Sequence, residues 1–179
     1  MKLLIVAHPD DEILWFNPQS FDRILIVFLE GHHIPRVSEG RKKVLAEHPL
    51  REKIKLLNLI ETNYQRDVNK RDIFVKNSHL IKEKLKEEIK NVDCIYTHNP
   101  WGEYGHPEHI QISSMVVKLA QVPVFAFDGI VPSSFGERKI EKIDLELYRK
   151  IKAIYLKHGA WTWHKDYEPK SMQPYFQLK

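Results

Sequence analysis

The chain has 179 residues, 42% of them hydrophobic, which is enough for one domain with a sizeable buried core. Twenty-eight Lys and Arg stand against 24 Asp and Glu, a net charge of +4 with both signs interspersed, too small an imbalance for a nucleic-acid surface. A single cysteine, Cys94, excludes an internal disulfide framework, and its apolar neighbours point to a buried thiol rather than a nucleophile.

In chain order, Lys2-Leu3-Leu4-Ile5-Val6-Ala7 reads as a buried strand. It breaks into charged residues too soon for a signal peptide or a membrane span, so a cytoplasmic protein is expected. Ile24-Leu25-Ile26-Val27-Phe28-Leu29 reads as a second strand of the same kind. Between them, Pro9-Asp10-Asp11-Glu12 has the chemistry of a first helical turn: proline loses no hydrogen bond there, and carboxylates suit the positive end of the dipole. A parallel βαβ unit follows.

Residues 39–46 carry a helical pattern that ends near Pro49, and residues 54–60 read as a strand, with helix as the alternative. Leu80, Ile81, Leu85 and Ile89 repeat among lysines and glutamates, predicting an amphipathic helix over 78–90. A strand over 93–97 leads into a polar loop over 98–105. Pro107 then opens a helix through Ile110, Met115, Val116 and Leu119 to Ala120, and 122–127 form another strand. A helix over 143–157 precedes an aromatic, turn-rich tail from Trp161-Thr162-Trp163-His164 to Pro174-Tyr175-Phe176. No repeat, linker or low-complexity tract interrupts the pattern. One α/β domain over 1–179 is expected, a three-layer sandwich with a largely parallel sheet whose ligands collect beyond the carboxyl ends of the strands.

Two segments share one layout, in which a strand is followed by histidine, proline and carboxylates at the mouth of a helix. They are Ala7-His8-Pro9-Asp10-Asp11-Glu12 and His106-Pro107-Glu108-His109. Both fall at the carboxyl edge of the predicted sheet, so their side chains can converge. Zinc accepts imidazole nitrogen and carboxylate oxygen, and a catalytic site uses three protein ligands and leaves the fourth position to water. His8, Asp11 and His109 meet that count, and Asp10 is left beside the metal as a base for the water. Tyr104 or His106 can donate to the oxyanion of a tetrahedral intermediate, and His106 can alternatively protonate a departing amine. His32, His33, His48 and His79 read as ordinary surface or loop residues.

Ala7-His8-Pro9-Asp10-Asp11-Glu12 together with Tyr104-Gly105-His106-Pro107-Glu108-His109 resembles the LmbE or PIG-L type zinc N-deacetylases, in motif order and separation as well as in residues. The resemblance implies a Rossmann-like fold and removal of an acetyl group from the nitrogen of an amino sugar of the N-acetylglucosamine type. It also implies one zinc per chain on His8, Asp11 and His109, although another divalent metal can suit such ligands. Asp10 is then the general base, His106 the acid or oxyanion stabiliser, and Tyr104 the group that polarises the acetyl carbonyl. Arg36, three residues before Glu39, is the candidate for the family's substrate-binding arginine. The chain departs from the family at Glu108, where aspartate is usual, and at Ile13-Leu14-Trp15-Phe16, where a glycine pair is frequent.

Trp101, Trp161 and Trp163 offer aromatic faces that can stack on a sugar ring or pack in the core; Trp101, just before the second motif, is the substrate-binding candidate. The expected partner is a small N-acetylated sugar or glycoconjugate, with no nucleic acid. Two competing readings keep part of the site. A metal-dependent phosphoesterase generally wants two metals, and the sequence offers no obvious second carboxylate-rich set. A non-catalytic sugar- or zinc-binding module has no use for the carboxylate of Asp10.

Overall fold

The computed structural model describes residues 1–64, 66–129 and 138–179. Its centre is a seven-stranded sheet in the order β3-β2-β1-β4-β5-β7-β6. The strands are β1 (Lys2–Val6), β2 (Arg23–Glu30), β3 (Ile54–Ile60), β4 (Cys94–Thr97), β5 (Val124–Phe127), β6 (Arg138–Lys142) and β7 (Met172–Gln177). The first five in spatial order run parallel, and β7 and then β6 extend the sheet antiparallel beyond β5. The helices are α1 (Asp11–Leu14), α2 (Pro35–Glu47), α3 (Arg71–Glu88), α4 (Gly102–Gly105), α5 (Pro107–Leu119) and α6 (Leu145–Lys157).

Alternation along β1 builds both faces of the sheet. Leu3 and Ile5 pack with Ile81 and Leu85 of α3 and Ile112 and Val116 of α5. Leu4 and Val6 join an aromatic layer that includes Trp15, Phe16, Phe21, Phe127 and Tyr175. On that side Ile13, Val44 of α2, and Tyr148, Ile151 and Tyr155 of α6 form a further buried cluster. The result is the expected α/β sandwich, with helices on both faces of a mostly parallel sheet. No helix among the described residues is long and apolar enough to cross a membrane.

Several boundaries differ from the sequence reading for identifiable reasons. Helix α2 starts at Pro35, where proline occupies the first turn, rather than at 39. Helix α3 starts at Arg71 because its first turns carry Ile73 and Val75 exposed, outside the apolar stripe that revealed the rest. Helix α1 is a single turn that begins at Asp11, so Pro9 lies outside it and Asp10 sits at its N-cap. Strand β6, Arg-Lys-Ile-Glu-Lys, is a mostly exposed edge whose charges hide its strand character and guard against pairing with other chains. Strand β7 lies inside the aromatic tail, with Pro174 in its middle.

Chain direction positions the site. The chain steps from β1 outward to β2 and β3, then returns across β1 to β4 and β5, so the connections leaving β1 and β4 diverge at their carboxyl ends. That reversal opens a crevice in a parallel sheet. The two histidine-proline motifs both border it.

Candidate metal centre and active site

His8 follows Ala7, the last residue of the apolar run that forms β1, and Asp11 opens α1; His109 lies in the first turn of α5. Their side chains meet in the crevice. Asp11 Oδ2 lies 3.3 Å from His8 Nδ1 and 3.4 Å from His109 Nε2, and the two ring nitrogens are 3.3 Å apart. Ligands about 2.0–2.1 Å from a tetrahedral zinc are separated by about 3.3–3.4 Å, so the three atoms have the spacing of one face of such a tetrahedron.

Hydrogen bonds fix which nitrogen of each ring faces inward. His8 Nε2 is 2.9 Å from Glu108 Oε2, whose other oxygen accepts from the Thr62 backbone N–H at 2.6 Å and the Thr62 hydroxyl at 2.8 Å. His109 Nδ1 is 2.7 Å from Glu103 Oε2. Each outer N–H therefore donates to a carboxylate, which leaves each inner nitrogen as the one that a cation would take. His98 is different: its Nε2 accepts from the Ala7 backbone N–H at 2.9 Å, and its Nδ1 is 3.0 Å from Glu103. Its ring stacks on His109 at 3.8 Å, making it a brace for that ring.

Other groupings of buried side chains also bring ligand atoms within 4.8 Å of one another: His8, His106 and His109; Asp11, His98 and His109; and His8, Glu61, His106 and Glu108. The second uses the nitrogen that His98 gives to Ala7. The last uses oxygens already engaged, Glu108 by His8 and Thr62, and Glu61 by Arg41 at 2.8 Å. The set of His8, Asp11 and His109, with His106 close by, could hold a divalent cation.

Electrostatics agrees with the geometry. Burial disfavours the charged form of His8, yet Glu61, Asp11 and Glu108 outweigh it and lift the imidazole to about 9. Burial likewise opposes ionisation of Asp11, but His109, His8 and His98 hold it well below the usual carboxylate range. Glu103 is held at about 2 against its burial by His98 and His109. Without a cation the pocket retains protons, and a bound cation displaces them.

Asp10 lies beside this centre with φ of +89°, a left-handed conformation that strains a non-glycine residue. Its backbone N–H is shared between Glu12 Oε2 and the Tyr155 hydroxyl, both at 2.8 Å, and that hydroxyl donates to Glu12 Oε1. Burial, followed by the charge of Asp11, raises the Asp10 carboxyl to about 7, although Arg41 and Thr162 pull the other way. Glu103 is similarly strained, with φ of +56°, and its oxygen Oε1 accepts from the Asn99 backbone while its own N–H donates to Asn99 Oδ1. Gly102, at φ of +67°, permits the same turn, and a Cβ there would meet Ile110 at 2.9 Å.

A cavity of about 450 Å³ opens over the donor atoms. Of the residues singled out from sequence, His8, Asp10, Asp11, Arg36, Tyr104 and His106 line it, and His109 lies buried beneath. Trp101 is the exception: it stacks on Phe176 of β7 at 5.5 Å and 4° and does not line the cavity. Trp161 and Trp163 of the tail line the cavity instead. His32 and His33, in the loop after β2, also line it, and His48, in the loop after α2, is buried 3.6 Å from Glu12. Glu103, His98, Glu61, Arg41 and Thr162 had no motif to reveal them. Only the fold joins the loop after β4, the end of β3, helix α2 and the tail around one crevice.

No family model matches the chain. It is similar to the uncharacterized protein L374 of Acanthamoeba polyphaga mimivirus, 29% identical over 148 residues that cover 70% of this chain and 60% of that protein. The chain thus spans less than two thirds of the length of the curated relative it matches. Among solved structures, it is similar to N,N'-diacetylchitobiose deacetylase from Pyrococcus horikoshii complexed with its inhibitor MPG, with a TM-score of 0.57 and 16% identity over 90% of this chain and 71% of that chain. At that identity the likeness establishes a shared fold.

Proposed function

We propose that this chain is a zinc-dependent N-deacetylase acting on an N-acetylated amino sugar, with one metal held by His8, Asp11 and His109. The observation that carries the reading is the triangle of donor atoms with edges of 3.3–3.4 Å at the crevice of the sheet, with the carboxylate of Asp10 beside it. The fold shared with a diacetylchitobiose deacetylase supports the choice of bond and of substrate class.

A zinc ion in that triangle would supply a water acidified toward neutrality and a positive charge for the acyl oxygen. Asp10 takes the proton from the water as its oxygen bonds to the acyl carbon. Thr162 holds one oxygen of that carboxylate, which leaves the other to accept the proton. Tyr104, kept neutral by burial and then by the charges of Asp11 and Asp10, donates its hydroxyl hydrogen to the acyl oxygen as charge develops. His106, kept neutral by burial and by the neighbouring His109 and His8, adds an N–H donor to the same developing charge. As the carbon–nitrogen bond breaks, the proton collected by Asp10 passes to the leaving nitrogen, giving acetate and a free amine.

The phosphoesterase alternative has one point in its favour, the Glu61 and Glu108 carboxylates that the fold brings near His8 and His106. Both are committed to other partners, which supports a single-metal centre. Acetate release from a panel of N-acetylated sugars, by zinc-loaded protein against a chelated control, tests the proposal. Metal-dependent release that disappears in Asp10→Asn with zinc content retained supports it. A fully active Asp10→Asn protein would falsify the role of Asp10, and silence across the panel would remove the hydrolase reading.

A further inference from the structure

Asp10 adopts its left-handed backbone at a buried N-cap, where its side chain makes no capping hydrogen bond. A residue with a Cβ keeps that conformation only where the surroundings over-determine it. The buried Asp10 N–H also needs an acceptor. Two groups meet it, Glu12 Oε2 and the Tyr155 hydroxyl oxygen, each at 2.8 Å. Glu12 ends the first histidine-proline motif, and Tyr155 lies on α6; the reaction as derived above uses neither.

These two acceptors are themselves fixed. Glu12 takes the Asp10 N–H on one carboxylate oxygen and the Tyr155 hydroxyl hydrogen, at 2.8 Å, on the other. His48 Nδ1 accepts from the Leu50 backbone N–H at 3.1 Å, so the hydrogen of its neutral ring sits on Nε2, which faces Glu12 Oε1 at 3.6 Å. Burial, then the charges of Glu12 and Asp10, hold the Tyr155 phenol well above its ordinary range, so it keeps the hydrogen it donates. The close approach of α6 to α2 sets how far Tyr155 reaches. A Cβ on Gly40 of α2 would lie 2.4 Å from the His158 carbonyl oxygen, a distance only glycine allows. Beyond Tyr155 the chain turns, with the Ala160 N–H bonded to the Tyr155 carbonyl at 2.9 Å, and brings Thr162 onto the Asp10 carboxylate. One segment thus holds Asp10 at both ends, the N–H through Tyr155 and Oδ2 through Thr162.

We infer that Tyr155 and Glu12 are positioning residues for the hydrolysis: together they lock the strained backbone of Asp10 so that its carboxylate is presented to the cavity in one orientation. Both are fully buried and neither lines the cavity, so neither can touch a ligand there. Their effect therefore falls on turnover and not on substrate binding, because a base displaced by a fraction of an ångström slows proton transfer while the binding surface stays intact. The link to turnover rests on the N-deacetylase proposal; the hold on the Asp10 backbone has its own readout.

Tyr155→Phe removes one acceptor and keeps the ring. In zinc-loaded protein the expected result is a fall of about fivefold in kcat for acetate release from an N-acetylated sugar, with KM and zinc affinity within about twofold of the parent. Glu12→Ala should lose about thirtyfold, and Glu12→Gln, which keeps an acceptor for the Asp10 N–H, should recover most of that rate. Tyr148→Phe is the control: it removes another hydroxyl of α6, one that donates to the Tyr167 carbonyl at 2.8 Å, and should leave kcat unchanged. The second readout is the Asp10 amide in proton–nitrogen correlation spectra of the metal-free protein. It should move upfield and exchange faster in the Tyr155 and Glu12 variants, and stay in place in Tyr148→Phe. Parent-like kcat in Tyr155→Phe and Glu12→Ala overturns the inference and leaves the deacetylase reading standing. An equal loss in Tyr148→Phe also overturns it, since the effect then comes from the packing of α6. A parent that releases no acetate removes the deacetylase reading, and the amide then decides: movement confined to the Tyr155 and Glu12 variants supports the hold on Asp10, and its absence overturns it.

Discussion

Thr162 donates two hydrogen bonds to a single oxygen of Asp10, from its backbone N–H at 3.0 Å and from its hydroxyl at 2.6 Å. The two residues are 152 positions apart, so the tail after α6 orients the carboxylate proposed as the base at the other end of the chain. Thr162→Val removes the hydroxyl bond and keeps the backbone one. The expected outcome is a loss of about tenfold in kcat for acetate release, with KM and bound zinc little changed, since a hydrogen bond to a charged group contributes about 1.5–3 kcal/mol. Thr162→Ser should restore most of the rate. A valine variant as fast as the parent would show that the hydroxyl does not position Asp10.

Glu103 holds His109 at 2.7 Å and His98 at 3.0 Å through the same oxygen. Glu103→Ala leaves both ring N–H groups without that acceptor, and the expected result is a fall in zinc affinity of roughly 10–100-fold. Glu103→Gln keeps an acceptor and should lie between. Competition with a chromophoric chelator measures both, and unchanged affinity in the alanine variant refutes the role of Glu103 in orienting His109.

The separation between what the sequence discloses and what it hides follows from how each residue is specified. His8, Asp11 and His109 are legible because the metal site proposed for them would fix both residue type and local spacing, and the strands before them are continuous apolar runs. Asp10 is legible as their neighbour. Glu103 sits in the single turn of α4, where its left-handed backbone, and not its identity, directs the carboxylate inward. Arg41 and Glu61 read as two more charges in a chain that is 29% charged, until α2 and the end of β3 close on them. Trp101 lies outside the cavity for the converse reason: sequence proximity to the second motif says nothing about where its ring packs. The parallel core was readable from β1, β2, β4 and β5, whereas the antiparallel edge was not, because β6 is charged and β7 is interrupted by Pro174.

Arg41 and Glu61 form an ion pair with side chains only 2% and 4% exposed. Removing one partner strands the other charge in a low-dielectric site, whereas removing both takes away the cost along with the attraction. Arg41→Met is expected to destabilise the fold by about 3–5 kcal/mol, and Arg41→Met/Glu61→Leu to recover most of that loss. Urea unfolding of the metal-free protein and its single and double variants measures the cycle. Additive losses in the double variant would mean that each side chain is held by its own surroundings and not by the pair.

Asp10 gives the metal-free protein a pH dependence whose sign can be worked out. Its carboxyl is raised from 3.8 to about 7, with burial the first cause and Asp11 the second. Between those values the folded chain binds a proton that the unfolded chain has released, so stability falls as pH rises from about 4 to about 7. Above that window the folded protein carries the full cost of a buried charge. Asp10→Asn keeps an acceptor for Thr162 and removes that charge. The variant should therefore match the parent in stability near pH 4 and exceed it by on the order of 2–4 kcal/mol near pH 8, both measured without metal. Such a gain at the expense of activity is the expected mark of a carboxylate retained for chemistry. Denaturant midpoints at the two pH values decide it: a variant that is equally stable or less stable near pH 8 shows that Asp10 ionises without penalty. Its surroundings would then have to contain more compensating donors than Thr162 supplies.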